Sequence, residues 1–449
     1  MVVERIAEGA RAAPDGGPSH LALMPWGGVV EDFLGPIGIG RAAFAEETSG
    51  GWLFGYAAAL AGQGIRTTIL CPSLGADRPE RRCNPATGVV TWFLPAGPLY
   101  RRLRRWPGDG DDPALRPPHR PGLRRAVRGL RRLAGYGSLP PLFWRTLAAE
   151  GCDAVMTQEY EHPRFDVVAA GARRRGLPLF ASFQGALPAG SALERRVRAG
   201  ALRAASGLVI GPAVEAERVR ARHGLPPEAI CRLPNPIDLA LWRPEPRARC
   251  RALLGIPERA VVVVCHGRID IHRKGLDVLL EAWRRVAAAR PGADLRLHLV
   301  GSGQDDATLA AALARAPVPG LRWVRDYVQD RARMRRELGA ADAYVLASRH
   351  EGFPVAPLEA MACGLGLVAA DAPGVCDILP RGEADGGIVV ARGDAAALAA
   401  ALGRVVDDAA LRAGLSARAR ARVEGFCSLE AVGARLAGFL RERAGAGVA

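Results

Sequence analysis

The chemistry most open to reading lies in His266-Gly267-Arg268-Ile269-Asp270-Ile271-His272-Arg273-Lys274-Gly275. Four valines, Val261 to Val264, and Cys265 precede it, and the apolar-periodic run Leu276-Asp277-Val278-Leu279-Leu280-Glu281-Ala282-Trp283 follows. That order spells a buried strand, a glycine-containing turn and a helix. Basic side chains on such a turn, beside a helix N-terminus, suit an anion. Lys274 is the only lysine among 61 basic residues. In a chain so biased toward arginine, a retained lysine marks a place for a compact ammonium that the planar guanidinium fork does not replace. The plain alternative is an ordinary surface lysine.

A second constellation runs from Ser348 to Gly364, SRHEGFPVAPLEAMACG. Pro357 suits the first turn of a helix, which puts Glu359 in that turn and leaves Glu351 and Gly352 in the loop before it. The two carboxylates then line one pocket, with the backbone N–H groups of Gly352, Phe353 and Val355 free to donate. A carboxylate accepts two vicinal hydroxyls, as on a ribose or hexose. Carboxylates together with free amides suit a polyhydroxylated ligand that bears an anionic group. Read blandly, Glu359 offsets a helix dipole and Glu351 is a surface charge.

These residues need a frame to bring them together. Strands are expected at Leu21–Met24, Thr67–Cys71, 89–94, Ala154–Thr157, Pro178–Ala181 and Gly207–Ile210, with the Gly- and Pro-rich stretch Trp26 to Phe44 read as loop. Gly50-Gly51 precedes a helix, an arrangement that lets backbone approach a ligand. Leu233 to Pro246 holds four prolines and reads as a linker. Beyond it, strands are expected at 261–265, 295–300, 321–325, 343–347, 366–370 and 387–390, with helices between them and a final helical pair at 408–424 and 428–443. Alternation of this kind makes parallel sheets with helices on both faces. The expectation is two α/β domains with a hinge near 235–247 and a ligand beyond the carboxyl ends of the strands.

At 449 residues, 49% hydrophobic and 24% charged, the chain is globular and long enough for two or three domains. It has no run of 18 apolar residues, and its N-terminal stretch lacks the apolar core of a signal peptide. Nine cysteines stand without a C-x-x-C pair, which reads as a reduced cytoplasmic protein without structural zinc. Much of the +15 net charge is local: Arg101 to Arg132 holds eleven arginines against three aspartates. Leu123, Ala126, Val127, Leu130 and Leu133 recur there at helical spacing with arginines opposite. That is either a solvated helix face or a peripheral dock on the anionic inner face of a membrane. The remaining charge is spread thinly and lacks interleaved stacking aromatics, unlike a nucleic-acid footprint.

The set resembles the family-4 retaining glycosyltransferases (glycosyl transferases group 1), whose GT-B fold has two Rossmann-like domains facing a cleft. The matching pieces are Gly50-Gly51, Asn235-Pro236-Ile237-Asp238, Gly267-Arg268 through Lys274-Gly275, Val300-Gly301-Ser302-Gly303, and Glu351-Gly352-Phe353 through Leu358-Glu359-Ala360-Met361-Ala362. The resemblance implies an N-terminal acceptor domain, 1–240, completed by a C-terminal helix at about 428–445 that packs back on it. The nucleotide-sugar domain is then 241–427. Arg268 and Lys274 would hold the diphosphate of a nucleotide-diphosphate sugar and Glu359 the ribose hydroxyls. Glu351, with the amides of Gly352 and Phe353, would hold the donor sugar. Gly267 shapes the turn, the loop at Tyr327-Val328 meets the base, and Gly50-Gly51 closes on the phosphate side.

The implied reaction is hexosyl transfer with retention to a glycan or lipid-linked acceptor. No cofactor or metal is expected, because an arginine fork, an ammonium and a helix N-terminus can neutralise the leaving diphosphate. Two departures stand out. Many relatives carry an acceptor-side histidine where this chain has Gln184, His162 being the nearest alternative. Asp377 stands where relatives place a glutamate. Two alternatives remain: a sugar-nucleotide epimerase or phosphorylase of the same fold, and a non-catalytic anion or nucleic-acid binder. The latter leaves Glu351 and Glu359 without a role.

Overall fold

The computed structural model describes residues 17–48, 51–104, 134–185 and 192–446. The basic helix expected around 123–133, Gly50 and most of the expected N-terminal tail lie outside the described residues. Contacts divide the chain into two units. One draws on Met1–Ser49, Tyr56–Leu233 and Gly433–Ala449, and the other on Gly50–Gly55 and Pro234–Val432. The division at Leu233/Pro234 falls where the proline-rich segment starts.

The first unit is built on eight strands: β1 (His20–Met24), β2 (Arg66–Ser73), β3 (Glu80–Cys83), β4 (Val90–Pro95), β5 (Ala154–Gln158), β6 (Leu179–Ser182), β7 (Gly207–Ile210) and β8 (Ile230–Arg232). They lie in the order β3-β4-β2-β1-β5-β6-β7-β8. Every pairing is parallel except β3 with β4. Leu21 to Met24 on the central β1 are fully buried, as a parallel strand covered on both faces requires. The sequence gives little sign of β3. Its Glu-Arg-Arg-Cys is polar, and it forms only as an antiparallel edge on β4.

One expectation is overturned here. Trp26 to Phe44 is not plain loop but holds two short helices, Glu31–Ile37 and Arg41–Glu46. The first helix ends on the left-handed Gly38. Tertiary contacts outweigh the local signal. Leu34 and Phe44 are buried, and the Asp32 carboxylate accepts from the amides of Gly28 and Val29, 3.0 and 3.2 Å.

The second unit holds β9 (Val261–His266), β10 (Leu295–Val300), β11 (Leu321–Val324), β12 (Ala343–Leu346), β13 (Leu367–Ala370) and β14 (Gly387–Val390). They form an all-parallel sheet in the order β11-β10-β9-β12-β13-β14. Alternate residues feed two cores. Val262, Val264, Tyr344 and Leu346 pack on one face, and Val263, Cys265, Val345 and Val368 on the other. That two-sided burial is why β9 reads as an unbroken apolar run. The helix Ala356–Ala362 lies on the first face, and the helix Leu276–Ala288, through Leu279 and Trp283, on the second.

The last helix, Leu429–Ala446, joins the first unit from Gly433 onward. Leu436, Ala437 and Leu440 on it are fully buried, and the Phe439 ring stands 6.1 Å from that of Phe180 on β6. From Gly433 onward the last helix thus packs within the first unit.

Candidate functional site

At the end of β9 the chain turns through Gly267 and Arg268 into the one-turn helix Ile271–Lys274. The Asp270 carboxylate caps that turn by accepting from Arg273 N at 3.0 Å. Gly275 closes it in a left-handed conformation, φ 62°. No other residue type fits there, because a Cβ would collide with the carbonyl oxygen of Ala347 just beyond β12. The turn is then pinned to the loop after β12. The carbonyl of Arg273 accepts from Arg349 N at 2.9 Å. The Arg349 guanidinium makes two 2.7 Å bonds to Asp277.

This stitching brings together side chains 77 residues apart. Lys274 Nζ donates to Glu351 Oε1 at 2.7 Å, and Ser348 Oγ donates to the same oxygen at 2.6 Å. Glu351 is 5% exposed. Burial pushes its carboxyl up, but the Lys274 charge, the hydrogen bonds from Lys274 and Ser348, and the Arg273 charge outweigh that and hold it below the usual glutamate range. Glu359 sits in the first turn of Ala356–Ala362, and its Oε2 lies 2.9 Å from Nε2 of His266.

Arg268 is different from its neighbours. Half-buried, it has no hydrogen-bond or ion-pair partner among the described residues. Burial, then the charge of Arg273, holds its guanidinium below its ordinary value, while Asp270, Glu351 and Tyr327 act the other way. A desolvated, unpaired cation is costly and calls for an anion from outside the chain. The amides of Gly352, Phe353 and Val355 likewise donate to nothing among the described residues. Asn235 holds that loop through its 2.6 Å bond to the Phe353 carbonyl. Gly374, φ 82°, backs the loop so closely that a Cβ would strike the Gly352 carbonyl.

Eight of the residues expected at the donor site, Gly267, Arg268, Lys274, Val328, Glu351, Gly352, Phe353 and Glu359, lie in the second unit. Tyr327 and Val328 are half-buried after β11. The Tyr327 hydroxyl is pushed up by burial and also feels Arg331, Glu359 and Arg268. Sequence reasoning gave no role to His266 or Ser348. His266 interrupts an apolar strand at its last residue, a signal open to reading beforehand. Ser348 gives none, because only the fold of the loop turns it onto Glu351.

Gly51 opens the helix Gly51–Ala61 in the chain of the first strands. Within the first unit, Gln184 follows β6 and bonds Ser182 Oγ at 3.0 Å. Its backbone N–H donates to Glu159 Oε2 at 3.2 Å. Glu159 is the only described non-glycine residue with positive φ, 86°, a strained conformation sequence did not suggest. His162 Nδ1 caps the helix Pro163–Arg173 by accepting from Arg164 N at 3.3 Å. That bond gives His162 a structural duty. Among the described residues no three His, Cys, Asp or Glu side chains cluster to hold a metal ion.

Two family models match successive parts of this chain. Glycosyltransferase Family 4 covers residues 53–241, and Glycosyl transferases group 1 covers 260–408. A D-inositol 3-phosphate glycosyltransferase of Catenulispora acidiphila is 31% identical over 60% of this chain and 68% of its own length. The chain belongs to the family-4 glycosyltransferases.

Another relative of this family-4 glycosyltransferase comes from Corynebacterium glutamicum. It is a GDP-mannose-dependent monoacylated phosphatidylinositol monomannoside mannosyltransferase, 33% identical over 46% of this chain and 55% of its own length. The chain thus spans between about half and two thirds of the length of these curated relatives. Among solved structures, sucrose-phosphate synthase from Thermosynechococcus elongatus superposes with a TM-score of 0.71 at 20% identity, covering 96% of this chain and all of that one. HepE of Anabaena with bound UDP gives 0.66 at 17% identity, over 94% of this chain and all of that one. These likenesses give the fold: two Rossmann-like domains of the GT-B type.

Proposed function

We propose that this chain transfers a hexosyl group from a nucleotide-diphosphate sugar to a glycan or lipid-linked acceptor, with retention at the anomeric carbon and without a metal ion. The observation that carries the reading is Arg268, half-buried and without a partner among the described residues, beside the Lys274–Glu351 pair. As the glycosyl–phosphate bond breaks, its electron pair leaves with the nucleoside diphosphate, the acceptor hydroxyl oxygen bonds to the anomeric carbon, and the hydroxyl proton passes to the departing phosphate oxygen. Arg268 and Lys274 take up the charge that grows on the departing phosphate. Glu351 and the amides of Gly352 and Phe353 meet the sugar hydroxyls, Glu359 meets the ribose, and Val328 borders the base. The first unit, with Gln184, takes the acceptor.

Inositol phosphate and phosphatidylinositol mannoside, which appear in the names of curated relatives, support a first acceptor screen of those classes. We place the reaction in the cytoplasm, with contact to the inner membrane face through 101–133. Among the described residues no helix is long and apolar enough to cross a membrane.

The test is thermal unfolding of the wild type and Arg268→Ala with UDP, GDP or ADP, all in EDTA. One nucleotide at a hundred times its Kd should stabilise the wild type by about 2.7 kcal/mol and the variant far less. No stabilisation of the wild type by any of the three would sink the donor-site reading.

A further inference from the structure

Glu359 can read a hydroxyl only if its carboxylate is held in one orientation. Its two oxygens are treated differently. Oε2 faces His266 Nε2 at 2.9 Å, while Oε1 has no hydrogen-bond partner among the described residues. The two side chains are 9% and 10% exposed, so water competes little for this contact. An ionised carboxylate only accepts, which assigns the proton of the contact to Nε2. Nδ1 is buried without a hydrogen-bond partner among the described residues and ties the ring to none of them.

The ring itself is set by the sheet. His266 ends β9, paired with Val300 on β10. The Tyr344 hydroxyl of the adjacent β12 donates to the His266 carbonyl at 3.2 Å, and the two rings meet edge to face at 5.4 Å. A strand end flanked by paired strands moves little, whereas Glu359 stands on a helix of only seven residues. His266 therefore transfers the rigidity of the sheet to the carboxylate.

We propose that His266 is a positioning residue of the donor site: its Nε2–H pins Oε2 of Glu359 so that Oε1 is presented to a hydroxyl of the nucleotide ribose. This rests on the donor-site reading above. It makes His266 a determinant of sugar specificity that never touches the reacting atoms.

Calorimetric affinities of UDP, GDP and ADP, each beside its 2′,3′-dideoxy form, test it on the full chain and on His266→Ala, His266→Gln and His266→Asn. The wild type should prefer the ribose form by roughly tenfold or more, the worth of a hydrogen bond to a charged group. His266→Ala should bring that ratio toward one while leaving the dideoxy affinity in place. His266→Gln, whose amide nitrogen reaches the place of Nε2, should restore the ratio, and the shorter Asn should not. If the alanine variant fails to fold, the Gln and Asn pair carries the same comparison.

An unchanged ratio in His266→Ala, or equal loss of both sugars in Ala and Gln alike, overturns the proposal and leaves the donor site standing. Nucleotides bound by the wild type without preference for ribose overturn the hydroxyl role of Glu359 and that of His266 with it. No nucleotide bound by the wild type overturns the donor-site reading itself.

Discussion

Lys274 Nζ lies 2.7 Å from Glu351 Oε1, tying the turn after β9 to the loop after β12. The pair has a stability cost attached to each half. Removing Lys274 alone leaves a buried carboxylate with Ser348 as its remaining close donor. Lys274→Ala should therefore destabilise by about 2–4 kcal/mol. Adding Glu351→Gln should recover most of that in urea unfolding and recover none of the nucleotide affinity. A single variant as stable as the wild type would show that the pair contributes nothing to the fold.

Arg268 predicts the opposite pattern. Since it pairs with nothing among the described residues, Arg268→Ala breaks no bond among them. Its unfolding midpoint should stay level or rise, while nucleoside diphosphate affinity falls by about a hundredfold, as for loss of a charge-assisted contact to phosphate. Function held at the expense of stability is expected of a preformed anion site. A lower midpoint with intact affinity would make Arg268 a structural residue.

Acid should loosen the same region. The Glu351 carboxyl sits below the usual glutamate value of 4.5 in the folded chain. A depressed folded value means its stabilisation is fully present above the unfolded value and is lost as pH falls through the folded one. Wild type minus Glu351→Gln stability should therefore be flat above about pH 5 and shrink below it. A difference that grows on acidification would reverse the sign and refute the assignment of a charged Glu351.

Gly275 tests the geometry of the turn. Its positive φ and the Ala347 carbonyl together exclude a Cβ. Gly275→Ala should cost about 3 kcal/mol or more, through backbone strain and displacement of the loop after β12. Because Lys274 precedes it directly, nucleotide affinity should fall as well. A stable, fully binding variant would mean the turn has another conformation.

The amino-acid sequence by itself determined most of the frame. The valine run of β9 and the periodic run after it could only be a two-sided buried strand and an amphipathic helix, and the same logic holds from β9 to β14. Lys274, Glu351 and Glu359 stand out in the sequence because charge at a strand-to-helix turn is conspicuous against apolar surroundings. Local signals failed where long-range contacts decide. Gly35 and Pro36 argue for loop, yet burial of Leu34 and Phe44 makes helix. Polar β3 exists only because β4 offers it an edge. Only the tertiary structure could join Lys274 to Glu351 and His266 to Glu359, or leave Arg268 without a partner among the described residues. Such pairings depend on which strand ends lie side by side, and strand order is set by packing across the whole sheet rather than by any one segment.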